Sequence, residues 1–206
     1  MRRVFVGSTP LNLLRRDFAH DADHATRTLD ALAQIPDRGE RKFAFAHILS
    51  PHYPYVFDAG CGIAAKRAMR GWDQRRRDAY IGQIQCLNGL LLELVNDLLQ
   101  RSAKSPVILL VGDHGTNSLR YSSAKSVDAV TPAQARERFG AFGAFHLPGG
   151  GGRRFNDSVT LVNVIPKVLN YYFDAGIPLA PDSLYLSLEQ TPYLFAPVDP
   201  ASLGGG

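Results

Sequence analysis

The sequence predicts an α/β layered fold with a mainly parallel sheet flanked by helices, and three observations lead there. Residues 73–101 form a long amphipathic stretch in which Ile84, Leu87, Leu91, Leu94 and Leu98 share one face, opposite Gln83, Gln85, Glu93 and Asp97. The run Pro106-Val107-Ile108-Leu109-Leu110-Val111-Gly112 is aliphatic without alternation, the pattern of a central parallel strand covered on both faces. Strand, helix and strand succeed one another along the chain, so helices are expected to pack on a sheet.

The elements follow in order. Ala25, Leu29, Leu32 and Ile35 recur at helical spacing over residues 23–34, and Pro36 ends that helix. Residues 42–49 are a compact apolar run stopped by Ser50-Pro51, which reads as a buried strand ending near His47. A loop rich in Pro, Tyr, His and Gly comes next, then the long helix and the aliphatic strand, which stops at Asp113-His114-Gly115. Residues 116–138 are polar, residues 140–147 suit a strand, and the glycines after Pro148 read as a flexible surface loop. A helix is expected over residues 160–172, bent at Pro166, and one short strand in the proline-rich tail. No repeat or composition break marks a second domain, so residues 1–206 read as one domain with peripheral ends at 1–22 and 198–206.

Composition narrows the function. The chain has 45% hydrophobic and 20% charged residues, an ordinary globular balance. Its net charge of +4 comes from arginines scattered as Arg2/Arg3, Arg15/Arg16, Arg75 to Arg77 and Arg153/Arg154, so no nucleic-acid partner is expected. No stretch approaches the ~20 apolar residues of a membrane span. The N-terminus begins like an export signal, but Ser8, Thr9, Pro10 and Asn12 interrupt its apolar core. Of the two cysteines, Cys86 reads as helix packing and Cys61 is left open. There is no Gly-x-Ser-x-Gly elbow, phosphate-binding P-loop, Gly-x-Gly-x-x-Gly turn or His-Glu-x-x-His pair, which disfavours serine hydrolases, nucleotide and dinucleotide enzymes and zincin proteases.

In parallel sheets, ligand sites gather where strands end. Here one strand end carries His47 and, just beyond, His52, and another carries Asp113 and His114. A carboxylate beside an imidazole is a sensible donor pair for a divalent metal, one supplying charge and the other a neutral nitrogen. The plainer readings stand alongside: a tight turn with Gly115 at positive φ, a core histidine at His47 and a loop residue at His52. Three of six histidines at two strand ends are more than a structural role requires.

At these residues the chain resembles sulfatase-like hydrolases and transferases of the alkaline phosphatase superfamily, including the branch of phosphoethanolamine transferases and lipoteichoic-acid synthases. The resemblance rests on residues 42–58 with His47 and Pro51-His52-Tyr53-Pro54-Tyr55, on Tyr80-Ile81-Gly82-Gln83 with Leu87-Asn88, and on residues 106–115 with Asp113-His114-Gly115. Phe155 to Asn163 and Val168 to Phe173 are similar to the closing helix of the same domain. It covers roughly residues 43–173 and implies the C-terminal part of the catalytic domain. Asp113 and His114 would then bind one divalent metal (Zn, Mn, Mg or Ca), His52 would contact the phosphate or sulfate group, and His47 would lie nearby. The family's Thr, Ser or modified Cys nucleophile and a further acidic ligand are expected from a part of the domain preceding this region. Cys61 lacks the Pro and Arg spacing of the sulfatase cysteine motif, and Ser8 and Thr9 lack a matching context.

Two functions follow. The first is a fragment of a metal-dependent hydrolase or transferase of phosphate or sulfate esters, weakly active or inactive alone, from a membrane-anchored extracytoplasmic domain. The second is a non-catalytic α/β binding or assembly protein that self-associates through an exposed sheet edge.

Overall fold

A computed structural model of the chain describes residues 18–37, 41–64, 71–156 and 159–203. The chain divides into two compact units, Met1–Ser105 and Pro106–Gly206. Residues 1–17 and 204–206, which include Ser8 and Thr9, lie outside the described residues.

The first unit is two helices closed over a loop. Helix α1 (Phe18–Ala33) and helix α2 (Gln74–Arg101) lie near the lengths that their periodicity predicts. Asp73 caps α2, its side chain accepting from the Arg76 amide at 2.9 Å. Ala22 and Ala25 of α1 pack with Cys86 of α2 around Val56 and Phe57 of the intervening loop. Arg101 closes the far end by donating to the Ala33 carbonyl at 2.9 Å and pairing with Asp37 and Asp97.

Three expectations change here. Residues 42–49 carry no regular secondary structure and pair with no strand among the described residues, and Phe43 and Phe45 are each 84% exposed. Gln83, assigned to the polar face of α2, is fully buried, because a polar loop rather than a sheet covers that face. Its Oε1 accepts from the amides of Val56 at 2.5 Å and Phe57 at 3.3 Å, satisfying two donors that the loop cannot pair itself. Cys61 and Cys86 form a disulfide, which ties the loop directly to α2.

The second unit contains two small antiparallel sheets. Strand β1 (Ile108–Val111) pairs with β2 (Gly143–His146), with Ile108 opposite His146 and Val111 opposite Gly143. The sheet is therefore antiparallel rather than parallel: an aliphatic run reports burial, but not the direction of its partner. Between the strands sits helix α3 (Pro132–Phe139), opened by a capping box in which Thr131 and Gln134 exchange hydrogen bonds, with Pro132 in the first turn. Helix α4 (Leu161–Phe173) follows, with Pro166 inside it. Asn163, fully buried, donates to the Ala180 carbonyl at 2.8 Å and accepts from the Ala180 amide at 3.0 Å, fastening the tail to α4. That tail forms two strands instead of one, β3 (Leu184–Leu188) paired with β4 (Thr191–Val198). The glycines after Pro148 form two short 3₁₀ turns within Pro148–Arg154, joined by a kink at Gly149 and Gly150, both left-handed.

Replacing Gln83 by Leu leaves the Val56 and Phe57 amides buried without an acceptor. Urea unfolding is expected to register a loss of about 1–3 kcal/mol. A change below ~0.5 kcal/mol, the range of neutral surface substitutions, would show that Gln83 does not hold the loop.

Candidate functional site

The four candidate residues fall two to a unit, and each pair is described within its own. In the first unit His47 is exposed on the unpaired segment and lines a shallow cavity of about 360 Å³ with His24, Thr28, Leu32 and Phe45. It is not a core histidine. His52 is exposed in the loop, where its amide donates to the Leu49 carbonyl at 2.8 Å and its Nδ1 lies 2.5 Å from the Tyr53 carbonyl. The Gln83 amide reaches the His52 carbonyl at 3.5 Å, so the buried glutamine supports the backbone that carries the imidazole.

Tyr53, Tyr55, Trp72 and Tyr80 cluster beside that loop, with ring centroids 5.5–5.8 Å apart in successive pairs. The Arg76 guanidinium lies over Tyr53 at 5.3 Å and Trp72 at 5.2 Å. Its positive charge faces ring π-clouds and stiffens the Pro-His-Tyr-Pro-Tyr stretch.

In the second unit Asp113 and His114 follow the end of β1. The Asp113 side chain is 85% exposed, and its Oδ2 lies 3.4 Å from His114 Nε2. Two contacts from α3 hold this loop. The Gly115 amide donates to the Arg138 carbonyl at 2.8 Å, and a Cβ on Gly115 would lie 1.8 Å from the Glu137 carbonyl oxygen. Gly115 is therefore needed for close approach, not for the positive φ expected of it; it is not among the positive-φ glycines. Glu137 gathers the next turn. Its carboxylate accepts from the Thr116 and Ser118 hydroxyls, and from the Ser118 and Leu119 amides at 2.8 Å each.

Arg138 addresses His114 directly. Its Nη1 lies 2.6 Å from His114 Nδ1 and 3.2 Å from the Gly115 carbonyl, while its guanidinium stacks over Tyr121 at 5.3 Å. A guanidinium only donates, so Nδ1 accepts and the neutral imidazole carries its proton on Nε2, facing Asp113. Nδ1 also lies 2.9 Å from the Gly115 carbonyl, which becomes its acceptor only in the other tautomer.

The carboxylate and imidazole suit a divalent cation chemically, and both are accessible. They are two donors. Among the described residues, no three His, Cys, Asp or Glu side chains gather at metal-binding spacing.

Glu137 and Arg138 escaped the sequence reading, and Gln83 was read on the polar face of the long helix and within the resemblance rather than as a buried support. Thr131-Pro132-Ala133-Gln134 was the available signal for α3, since a capping threonine, a first-turn proline and a glutamine at the third helical position mark a helix start. The contacts of Glu137 and Arg138 reach back about twenty residues and have no local signature.

The family model described as Sulfatase matches residues 5–162, more than half of the chain, and the chain belongs to that family. The match begins well before residue 43, where the motifs become legible, and it contains all four candidate residues. No curated protein and no solved structure matches the chain.

Partial burial acts to raise the Glu137 pKa, but hydrogen bonds from Ser118, Thr116 and the Leu119 and Ser118 amides outweigh it and hold the carboxyl below its ordinary 4.5. A value depressed on folding stabilises the fold above the unfolded value, and that contribution is lost as pH falls through the folded value. Glu137→Gln should cost about 1–3 kcal/mol at pH 7. It should also flatten the fall in melting temperature below about pH 4.5. A variant that keeps the wild-type acid limb would remove Glu137 as its source.

Proposed function

We propose that the chain carries part of the active site of a divalent-metal-dependent hydrolase or transferase acting on phosphate or sulfate esters. The observation that carries this reading is the exposed Asp113–His114 pair, 3.4 Å apart and fastened by α3, inside the region matched by the Sulfatase model. Asp113 and His114 would hold the metal. When bound, such an ion polarises the ester oxygen and lowers the pKa of a nucleophile.

The chain's own groups have distinct tasks. Asp113 supplies negative charge, and Glu137 and Gly115 keep its loop in place. While Arg138 donates to Nδ1, the His114 proton remains on Nε2, so the imidazole offers a lone pair to a cation only when Arg138 yields. The Gly115 carbonyl, 2.9 Å away, can accept a hydrogen bond from Nδ1 once the proton sits there. His52, with His47 nearby, would meet the oxyanion of the ester, where a donor N–H stabilises developing charge.

The unpaired segment supports a second reading, in which the chain binds or assembles through it. Residues 42–49 join no ladder among the described residues and expose Phe43 and Phe45. Concentration-dependent association that metal leaves unchanged would favour that reading.

We also place the working domain outside the cytoplasm. The Cys61–Cys86 disulfide supports this, because disulfides persist in oxidising compartments. Among the described residues, no helix is long and apolar enough to cross a membrane. Thiol titration of the natively purified protein should find no free thiol, and two free thiols would sink the assignment.

Metal is expected to raise the melting temperature by mass action, stabilising the fold by about 2.7 kcal/mol at ~100-fold excess over Kd. Zn, Mn, Mg and Ca should be compared. Asp113→Ala and His114→Ala should each abolish the shift, and Arg138→Gln should enlarge it. If no metal moves the wild-type transition, these residues do not form an independent site. Where a shift is seen, turnover of aryl phosphate and aryl sulfate esters distinguishes the two substrate classes.

A further inference from the structure

The β3–β4 hairpin carries a face that its packing does not explain. Tyr185 stands opposite Pro197, so alternation places these two on one face with Phe195 and Tyr193 further back along β4, while Leu186 opposite Ala196 belongs to the other. The inner face is packed, with Leu186 and Leu188 4% and 3% exposed. The outer face is not: Tyr193 is 91% exposed, Phe195 62% and Tyr185 56%. A single exposed apolar side chain is ordinary, but a contiguous set marks an interaction surface, and aromatic rings are what association surfaces concentrate. Pro192 and Pro197 have no N–H to give, which discourages a further strand from adding to β4. The hairpin therefore offers its face rather than its edge.

Charge decides what fits that face. Residues 174–206 hold four acidic side chains, Asp174, Asp182, Glu189 and Asp199, and no Lys or Arg, although the whole chain has a net charge of +4. Glu189 lies exposed in the turn of the hairpin and Asp199 directly follows β4, so carboxylates stand at both ends of the aromatic face. The complement is found at the start of α2. Arg75, Arg76 and Arg77 follow one another there, where the N-terminal end of the helix macrodipole disfavours positive charge and the first turn has no acidic side chain. Arg76 is taken up by the Tyr53 and Trp72 rings and the Gly71 carbonyl. Arg75, with its side chain 84% exposed, reaches Asp73 at 3.4 Å. Arg77 is exposed and joins no ion pair among the described residues.

We propose that the hairpin face is where a second copy of the chain docks, presenting the Arg75 and Arg77 side chains of its α2. A guanidinium binds a carboxylate and stacks on an aromatic ring, so the rings and the flanking carboxylates are both used. Two different patches meet, which makes the contact head-to-tail. Each copy then keeps one hairpin and one arginine cluster to offer, and association grows beyond a dimer unless the rotation closes a ring. The proposal depends neither on the metal reading nor on residues 42–49.

The test is the mass of the full chain in sedimentation, followed against concentration at low and at high salt. Growth with a midpoint on the order of 10 μM is expected, and salt should move that midpoint upward by about threefold or more, because the paired charges lie at the surface. Tyr193→Ser/Phe195→Ser and, separately, Arg75→Glu/Arg77→Glu should each leave a monomer that melts no lower than wild type, since all four side chains are exposed and a helix start favours carboxylates. An equimolar mixture of the two double variants should recover a dimer and nothing larger, because one intact hairpin meets one intact arginine pair. Phe43→Ser/Phe45→Ser should leave association unchanged, which separates this contact from assembly through residues 42–49. A wild type that stays monomeric, association that survives either of the first two double variants, a mixture that remains monomeric, or association lost with Phe43 and Phe45 would overturn the proposal.

Discussion

The Glu137 carboxylate is the point on which the second unit's site depends. Four donors from residues 116–119 converge on it, two hydroxyls and two amides. They are the polar groups that the turn beyond Gly115 cannot satisfy within itself. Such a carboxylate is half structure and half electrostatics: its charge strengthens each bond, and each bond holds the charge. Because Gly115 abuts the Glu137 backbone and Arg138 reaches His114, one turn of α3 locates the whole Asp-His-Gly loop. Asp113 is left exposed in the process, which a purely structural turn would not need.

The first unit uses the same device with a neutral group. Gln83 is buried, yet its amide is engaged on both sides, by the Val56 and Phe57 amides and by the His52 carbonyl. Removing the side chain would orphan groups that water cannot reach. The disulfide between Cys61 and Cys86 restrains the other end of the same loop. In both units a mobile type of residue, an exposed histidine, is carried on backbone that a buried or half-buried polar side chain holds still. Binding groups gain from this, because a rigid support lowers the ordering cost of engaging a ligand.

Arg138 and Arg154 illustrate how position decides what an arginine does. Both stack on a tyrosine of their own unit. Arg138 spends its donors on His114 and the Gly115 carbonyl, so it controls which imidazole nitrogen carries the proton. Arg154 pairs with no carboxylate among the described residues.

The sequence by itself determined the long helices, the aliphatic strand that delivers Asp113 and His114, and the family to which the chain belongs. These are local signals: helical periodicity, an unbroken apolar run and short motifs in a set order. Only the tertiary structure decided that β1 pairs antiparallel with β2, that residues 42–49 stay without a ladder, and that Cys61 meets Cys86. It also decided that Gln83 turns inward and that Glu137 and Arg138 hold the Asp113–His114 loop. The reason is physical. Strand direction, disulfide pairing and the satisfaction of a buried amide are set by groups twenty or more residues apart, and a residue's type records what it can bond to but not which partner the fold brings within reach.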